Sequence, residues 1–336
     1  MRVSDSADCG EYSGHIHFRA ATAINAFKLG GVPLMLKAVF LALFALAAAG
    51  FLPTVAVAAP NYPADATYVG SEVCAGCHVD ETEEFERTLM GRIFMKNPRS
   101  PQEKLGCEGC HGPGSLHVEE GGGRGVGGIL GYGKDSQYPV SERNAICLSC
   151  HQGGKRMHWA GGTHESRGVA CTNCHSVMKK TSAKNQFAKK TELETCYQCH
   201  KLKRAQMQRS AHMPLREGKM SCSDCHNPHG TINEKMLKET SVNETCYTCH
   251  AEKRGPLLWE HAPVRENCLN CHDPHGSNHG KLLKVARPRL CAQCHSEGHP
   301  GRLQSPTSVL AFGRACLNCH TQIHGSNHPA GVRLQR

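Results

Sequence analysis

The sequence predicts a mostly irregular chain of short α-helices with almost no β-sheet, held together by something other than a side-chain core. Three observations lead there. Only 39% of the 336 residues are hydrophobic and 5% aromatic, too few to bury a core of ordinary size. Cysteine occurs 21 times, among 35 glycines and 17 prolines, a composition found where covalent links or metals staple the fold. The cysteines are also regularly placed: C-x-x-C-H occurs ten times and takes up all but Cys9.

The N-terminus reads as a targeting segment. Lys37 precedes an apolar run, and the small residues Ala56 and Ala58 bracket a cleavage pattern, so 1–58 is assigned as a signal peptide with an extended N-region. Met35 is a candidate true start. The rival is a retained anchor, because the run is long enough to span a bilayer.

The ten motifs begin at Cys74, Cys107, Cys147, Cys171, Cys196, Cys222, Cys246, Cys268, Cys291 and Cys316. C-x-x-C can hold zinc, act as a redox dithiol, or attach c-type haem when His follows. Zinc needs no such His, and a redox dithiol would occur once. Histidine is 23 of 336 residues, so its presence after all ten pairs has a chance probability on the order of 10⁻¹². The motifs therefore attach haem. In each, two cysteines three apart form thioethers and the adjacent His supplies one axial nitrogen to iron. The thioether positions are the motif starts together with Cys77, Cys110, Cys150, Cys174, Cys199, Cys225, Cys249, Cys271, Cys294 and Cys319. The axial ligands are His78, His111, His151, His175, His200, His226, His250, His272, His295 and His320. The stretch 74–320 allows about 25 residues per haem, too few to wrap each one alone, so an elongated ten-haem array with neighbouring macrocycles in contact is expected.

Haem also removes the case for an acidic partner. The bare chain has a formal charge of +10. Two propionates per haem, against one net positive charge per ferric centre, bring that to about zero oxidised and about −10 reduced. Lys and Arg are scattered, with no basic run, so nucleic acid is not expected as a partner.

The motifs pair into five modules: 74 with 107, 147 with 171, 196 with 222, 246 with 268, and 291 with 316. Each pair is followed by spare ligands at near-constant offsets. From the first motif His, offsets of 11 to 13 reach His164, His212 and His261, and offset 12 from His78 reaches Met90. From the second motif His, offsets of 3 or 4 reach His229, His275 and His324, and offset 3 from His175 reaches Met178. His299 and His117 complete the list in the fifth and first modules. That makes ten distal ligands for ten irons: eight bis-His haems and two His/Met haems, the latter with raised potentials. His158, His279 and His328 are left over as rivals to the two methionines, and Met95 is a rival to Met90. Which distal residue serves which iron stays open. The chain divides into a pentahaem half at 59–200 and another at 201–336. With every iron carrying a sixth ligand, the expected role is electron transfer rather than catalysis. A multihaem oxidoreductase would need an open iron, often marked by C-x-x-C-K, and none occurs.

Three other stretches fill out the expectation. The glycine-dense 121–135 reads as a flexible connector between modules one and two. "DETEEFERTLMGRIF" spaces Phe85, Leu89 and Phe94 as one helix carrying Met90. Trp159 and Trp259 read as packing groups against porphyrin.

The chain resembles the MtrA/PioA/MtoA-type (DmsE family) decahaem c-type cytochromes. The resemblance covers nearly the whole mature chain and rests on the order of the ten motifs and on "CEGCHGPG", "TCYTCHAEKRGPLLWEHAPV", "CSDCHNPHG" and "CLNCHTQIHGSNHPAG". It implies a cytochrome on the periplasmic side, associated with the outer membrane. One copy is inserted in an outer-membrane β-barrel porin, passing electrons between periplasmic carriers and extracellular donors or acceptors. The resemblance also implies bis-His ligation throughout. Met90 and Met178 depart from it and favour iron-oxidising relatives, in which electrons run inward from Fe(II). The runner-up is a soluble periplasmic donor to a terminal reductase.

Overall fold

The computed structural model describes residues 60–295 and 316–335; the assigned signal segment 1–58 and His299 lie outside them. Val57–Arg336 forms one compact unit. Among the described residues the longest helix is Val140–Leu148, and pairing between extended segments is limited to isolated antiparallel bridges. Short helices and almost no sheet are what the composition required. No helix of the described residues is long and apolar enough to cross a membrane.

The helices are short because each motif must end one. In modules three and four a capping box or N-cap starts the helix. Thr191 accepts from the Glu194 N–H in Glu192–Tyr197, and Ser241 accepts from the Glu244 N–H in Val242–Tyr247. The first-motif histidine then leaves helical geometry, with φ/ψ of −83°/59° at His200 and −103°/50° at His250. The second motif is a single turn, Cys171–Cys174 or Cys222–Cys225, and its histidine is extended. That extended histidine bridges a residue about a dozen positions on: His175 to Phe187, His226 to Leu237 and His272 to Leu283. The intervening loop reverses through two successive left-handed residues: Asn185 and Gln186, Lys235 and Met236, Lys281 and Leu282.

The protein core is thin. Ten apolar side chains are buried among the described residues, matched by ten polar ones that include Glu108, Asn144 and Asn243. Burial on this scale cannot order so many residues by itself.

Two expectations change. The single helix drawn through Phe85, Leu89 and Phe94 is broken. Val79–Glu86 ends with Arg87 as its C-cap, Thr88 caps a short turn Leu89–Gly91, and a π turn Arg92–Lys96 follows. Phe85 and Phe94 are buried but Leu89 is 55% exposed. The break is enforced at Gly91, where an added Cβ would lie 1.8 Å from the Phe85 carbonyl oxygen. The glycine-dense 121–135 is also more than a connector. Leu130 is fully buried, its N–H bonds the His111 carbonyl, and Gly127 lies so close to the His117 backbone that no side chain fits.

Candidate functional site

The five modules are visible as sulfur contacts. The first cysteines of the two motifs in each module lie within hydrogen-bonding contact: Cys74 with Cys107, Cys147 with Cys171, Cys196 with Cys222, Cys246 with Cys268, and Cys291 with Cys316. Between modules the second cysteines lie within electrostatic range of the next motif, as Cys174 does of Cys199, Cys225 of Cys249, and Cys271 of Cys294. Successive motifs are thus close neighbours. As thioethers these sulfurs carry no titrating proton, so the thiol shifts of the bare chain, such as burial pushing Cys110 up to about 12, disappear on attachment.

A polar clamp that spacing did not reveal joins the two motifs of a module. Asn144 accepts from the Cys171 N–H at 2.9 Å and donates to the Val169 carbonyl. Asn243 accepts from the Cys268 N–H at 2.8 Å and donates to the Val264 and Arg265 carbonyls. Ser71 accepts from the Cys107 N–H at 3.0 Å. Each sits three residues before the first cysteine, a position a repeat alignment could have flagged. In module three Glu192 takes the role, accepting from the Ser223 N–H and hydroxyl at 2.7 and 2.9 Å. Glu192 also lies beside Cys196 and Cys222. Uncharged thioethers are poor partners for a hard cation, so this trio is structural rather than a metal site. The buried Glu108 carboxylate is another group missed: it accepts from the Val69, Gly70 and Gly114 N–H groups at 2.8 to 3.0 Å.

The imidazoles form close pairs, five with ring planes 10° to 19° apart and two, His164/His200 and His212/His250, inclined at 62°. Ring centroids lie 6.1 to 6.3 Å apart for His78/His117, His164/His200, His175/His229, His212/His250, His226/His275, His261/His295 and His272/His324. A first-row metal–imidazole bond is about 2 Å, and a five-membered ring with bonds of about 1.33 Å has a radius of about 1.1 Å. Two imidazoles trans across one iron therefore have centroids about 6.2 Å apart. The separations fit a six-coordinate iron between the rings of each pair.

The tautomers fit as well. Nδ1 of His111, His117, His164, His175, His212, His226, His272 and His320 lies 2.6 to 3.1 Å from a backbone carbonyl oxygen. A carbonyl only accepts, so Nδ1 holds the proton and Nε2 keeps the lone pair that iron needs. In three modules that carbonyl belongs to a left-handed loop residue, Asn185, Lys235 or Lys281. The loop therefore aims the ligand. His78 and His250 have carboxylates near Nδ1 instead, Glu81 at 3.8 Å and Glu252 at 3.7 Å. Burial lowers the imidazole pKa of His111 and His151, and pushes His229 down to about 4 with help from His175 and Arg156. All three stay neutral at physiological pH.

The pairs also link one module to another. His164, His212 and His261 each face the first-motif histidine of the next module. His229, His275 and His324 each face the second-motif histidine of the preceding one. His117 faces its own module's His78. Among the described residues, no imidazole faces His111 or His151. Met90 is half-buried and Met178 is 37% exposed. Tyr132 packs edge-on against His111 at 5.5 Å. Of the leftover histidines, His328 accepts the Ala330 N–H at Nδ1, which leaves the proton on Nε2. Trp159 is buried, its ring 6.3 Å from that of His229. Trp259 is 38% exposed and bridges Ser326.

Comparison with known proteins agrees with this geometry. The doubled CXXCH motif family matches residues 212–255 and 261–299. The family described as cytochrome c-type protein NrfB-like matches 107–199. The multiheme cytochrome MtrA of Shewanella baltica is 44% identical over 277 residues, 80% of this chain and 81% of that protein. The cytochrome c-type protein NrfB of Escherichia coli is 29% identical over 38% of this chain and 63% of its own. That of Haemophilus influenzae is 26% identical over 39% and 64%.

Proposed function

The chain belongs to the MtrA family of multihaem c-type cytochromes, and from that premise we propose that it is a ten-haem conduit seated in an outer-membrane β-barrel porin. As an electron-transfer cytochrome it relies on haem iron cycling between ferric and ferrous states at potentials set by the axial ligands. The protein's own part is to fix the ligands, seal the irons and set the order of neighbours. Ten motifs hold ten haems through the thioethers and axial histidines named above, and each iron takes a second ligand from the distal set. The two pentahaem halves, 59–200 and 201–336, share the third module. The cytochrome works on the periplasmic face of the outer membrane, one copy per barrel. It relays electrons between periplasmic carriers and extracellular Fe(II) or metal acceptors, and it needs no open catalytic iron.

The observation that supports this reading is the closeness of successive motifs combined with seven imidazole pairs, each at the separation that a closed iron would need. The test is purification of a tagged chain from detergent-solubilised outer membranes. A barrel protein retained at one-to-one stoichiometry, with electron passage across liposomes carrying the complex, is expected. Recovery of the fully loaded chain as a free monomer in a detergent-free periplasmic extract would instead identify a soluble donor to a terminal reductase. Ready binding of carbon monoxide to an iron in the native state would identify an oxidoreductase.

A further inference from the structure

We infer that Met90 is the second axial ligand of the iron held by His151, and Met178 that of the iron held by His111. The inference rests on the haem-loaded reading above and adds to it the wiring of the first two modules.

The argument is one of phase. Six facing pairs obey a single exchange rule. The longer-offset ligand of a module serves the first motif of the module after it: His164 to His200, His212 to His250, His261 to His295. The shorter-offset ligand serves the second motif of the module before it: His229 to His175, His275 to His226, His324 to His272. In module one the longer-offset position is Met90, and the rule sends it to His151. In module two the shorter-offset position is Met178, and the rule sends it to His111. Setting aside His320, whose candidate ligand His299 lies outside the described residues, these are the two motif histidines that pair with no imidazole among the described residues. The two remaining motif histidines and the two methionines therefore match in register.

Contacts around Met178 follow the same pattern. In later modules the segment carrying the shorter-offset ligand docks on the stretch just after the preceding module's first motif. Lys203 reaches His275 at 3.4 Å, and Asn227, two residues before His229, donates to the Lys155 carbonyl at 2.8 Å. In module two, Lys179, next to Met178, reaches Glu84 of Val79–Glu86 at 2.6 Å. That is the same docking place one module earlier.

The rival histidines fit less well. His328 lies in module five, its Nδ1 taken up by the Ala330 N–H. His279 lines a small cavity with Arg209 and Asp273, in modules three and four. The His158 backbone is pressed against Gly230 beside His229. Met95 has its sulfur 3.7 Å from the Cβ position of Gly106, in its own module's turn.

The test uses the loaded full-length protein. Near-infrared magnetic circular dichroism of the oxidised form is expected to show methionine-ligated ferric haem in two of the ten irons. Met90→His and Met178→His should each remove half of that signal, and the double variant all of it. The haem count by pyridine haemochromogen should stay unchanged, and one midpoint potential should fall per substitution. A structure of the loaded protein should place the Met178 sulfur opposite His111 and the Met90 sulfur opposite His151. A full haem count with no methionine signal would overturn the inference while leaving the conduit intact. So would a signal that survives the double variant, or His158 found opposite His151. A haem count well below ten would instead strike the reading beneath it.

Discussion

Modules three and four are near copies of each other, whereas module one is built differently. In modules three and four the shorter-offset ligand is a His-Gly pair, His229-Gly230 and His275-Gly276. Both glycines have left-handed φ, 105° and 132°, and both press against the backbone of the module before. Module one holds the first C-x-x-C-H of the sequence. It closes on its own residues: Phe85, Phe94 and Leu130 are buried there, Glu108 ties 69–70 to Gly114, and His117 faces the same module's His78. It is the capping repeat of an array whose inner units complete one another.

The most severe way to stress this contrast is to withhold haem. A chain made without attachment is expected to lose its cooperative unfolding transition. Hydrogen exchange should find residues 196–295 unprotected, with whatever protection survives lying in 60–148. A cooperative melt in the haem-free chain would break the comparison. Next in size is Gly276→Ala. Its Cβ would lie 2.2 Å from the Gln206 carbonyl oxygen, so it should destabilise by about 3 kcal/mol or more, read from denaturant midpoints. Gly122→Ala in module one, where the nearest atom is 3.9 Å away, should cost only the backbone strain, about 1 to 2 kcal/mol.

Much of this was legible from residue order. The pentapeptide reports its chemistry directly, and constant offsets picked out histidines that lie close to motif histidines. The exchange between modules was not legible, because an offset of 12 residues is the same whichever iron receives the ligand. Leu89 was misread because the helical spacing hid the break forced by Thr88 and Gly91. The 121–135 loop was misread because glycine density signals freedom unless its backbone is seen to pack on ligands. Nothing in the residue order singles out Glu108, because its role rests on three N–H groups that only the fold brings around it.

Two smaller effects sharpen the contrast further. Glu108→Gln keeps one acceptor oxygen and places an amide where the Gly70 N–H points. About 1 to 3 kcal/mol should be lost, confined by hydrogen exchange to module one. Lys179→Ala removes an exposed ion pair to Glu84 and should change stability by less than about 0.5 kcal/mol. A loss as large as that of Glu108→Gln would mean that the docking of module two on module one depends on that single pair.

The outward and backward reach of the ligands also dictates an order of assembly. His175 lies opposite His229, and His226 opposite His275. A segment emerging N-terminus first therefore cannot finish one unit until the next has followed it out. On the proposed wiring, maturation of a chain exported N-terminus first would trail export by one repeat, and a chain cut short between repeats would end with partly dressed irons that surveillance proteases can recognise.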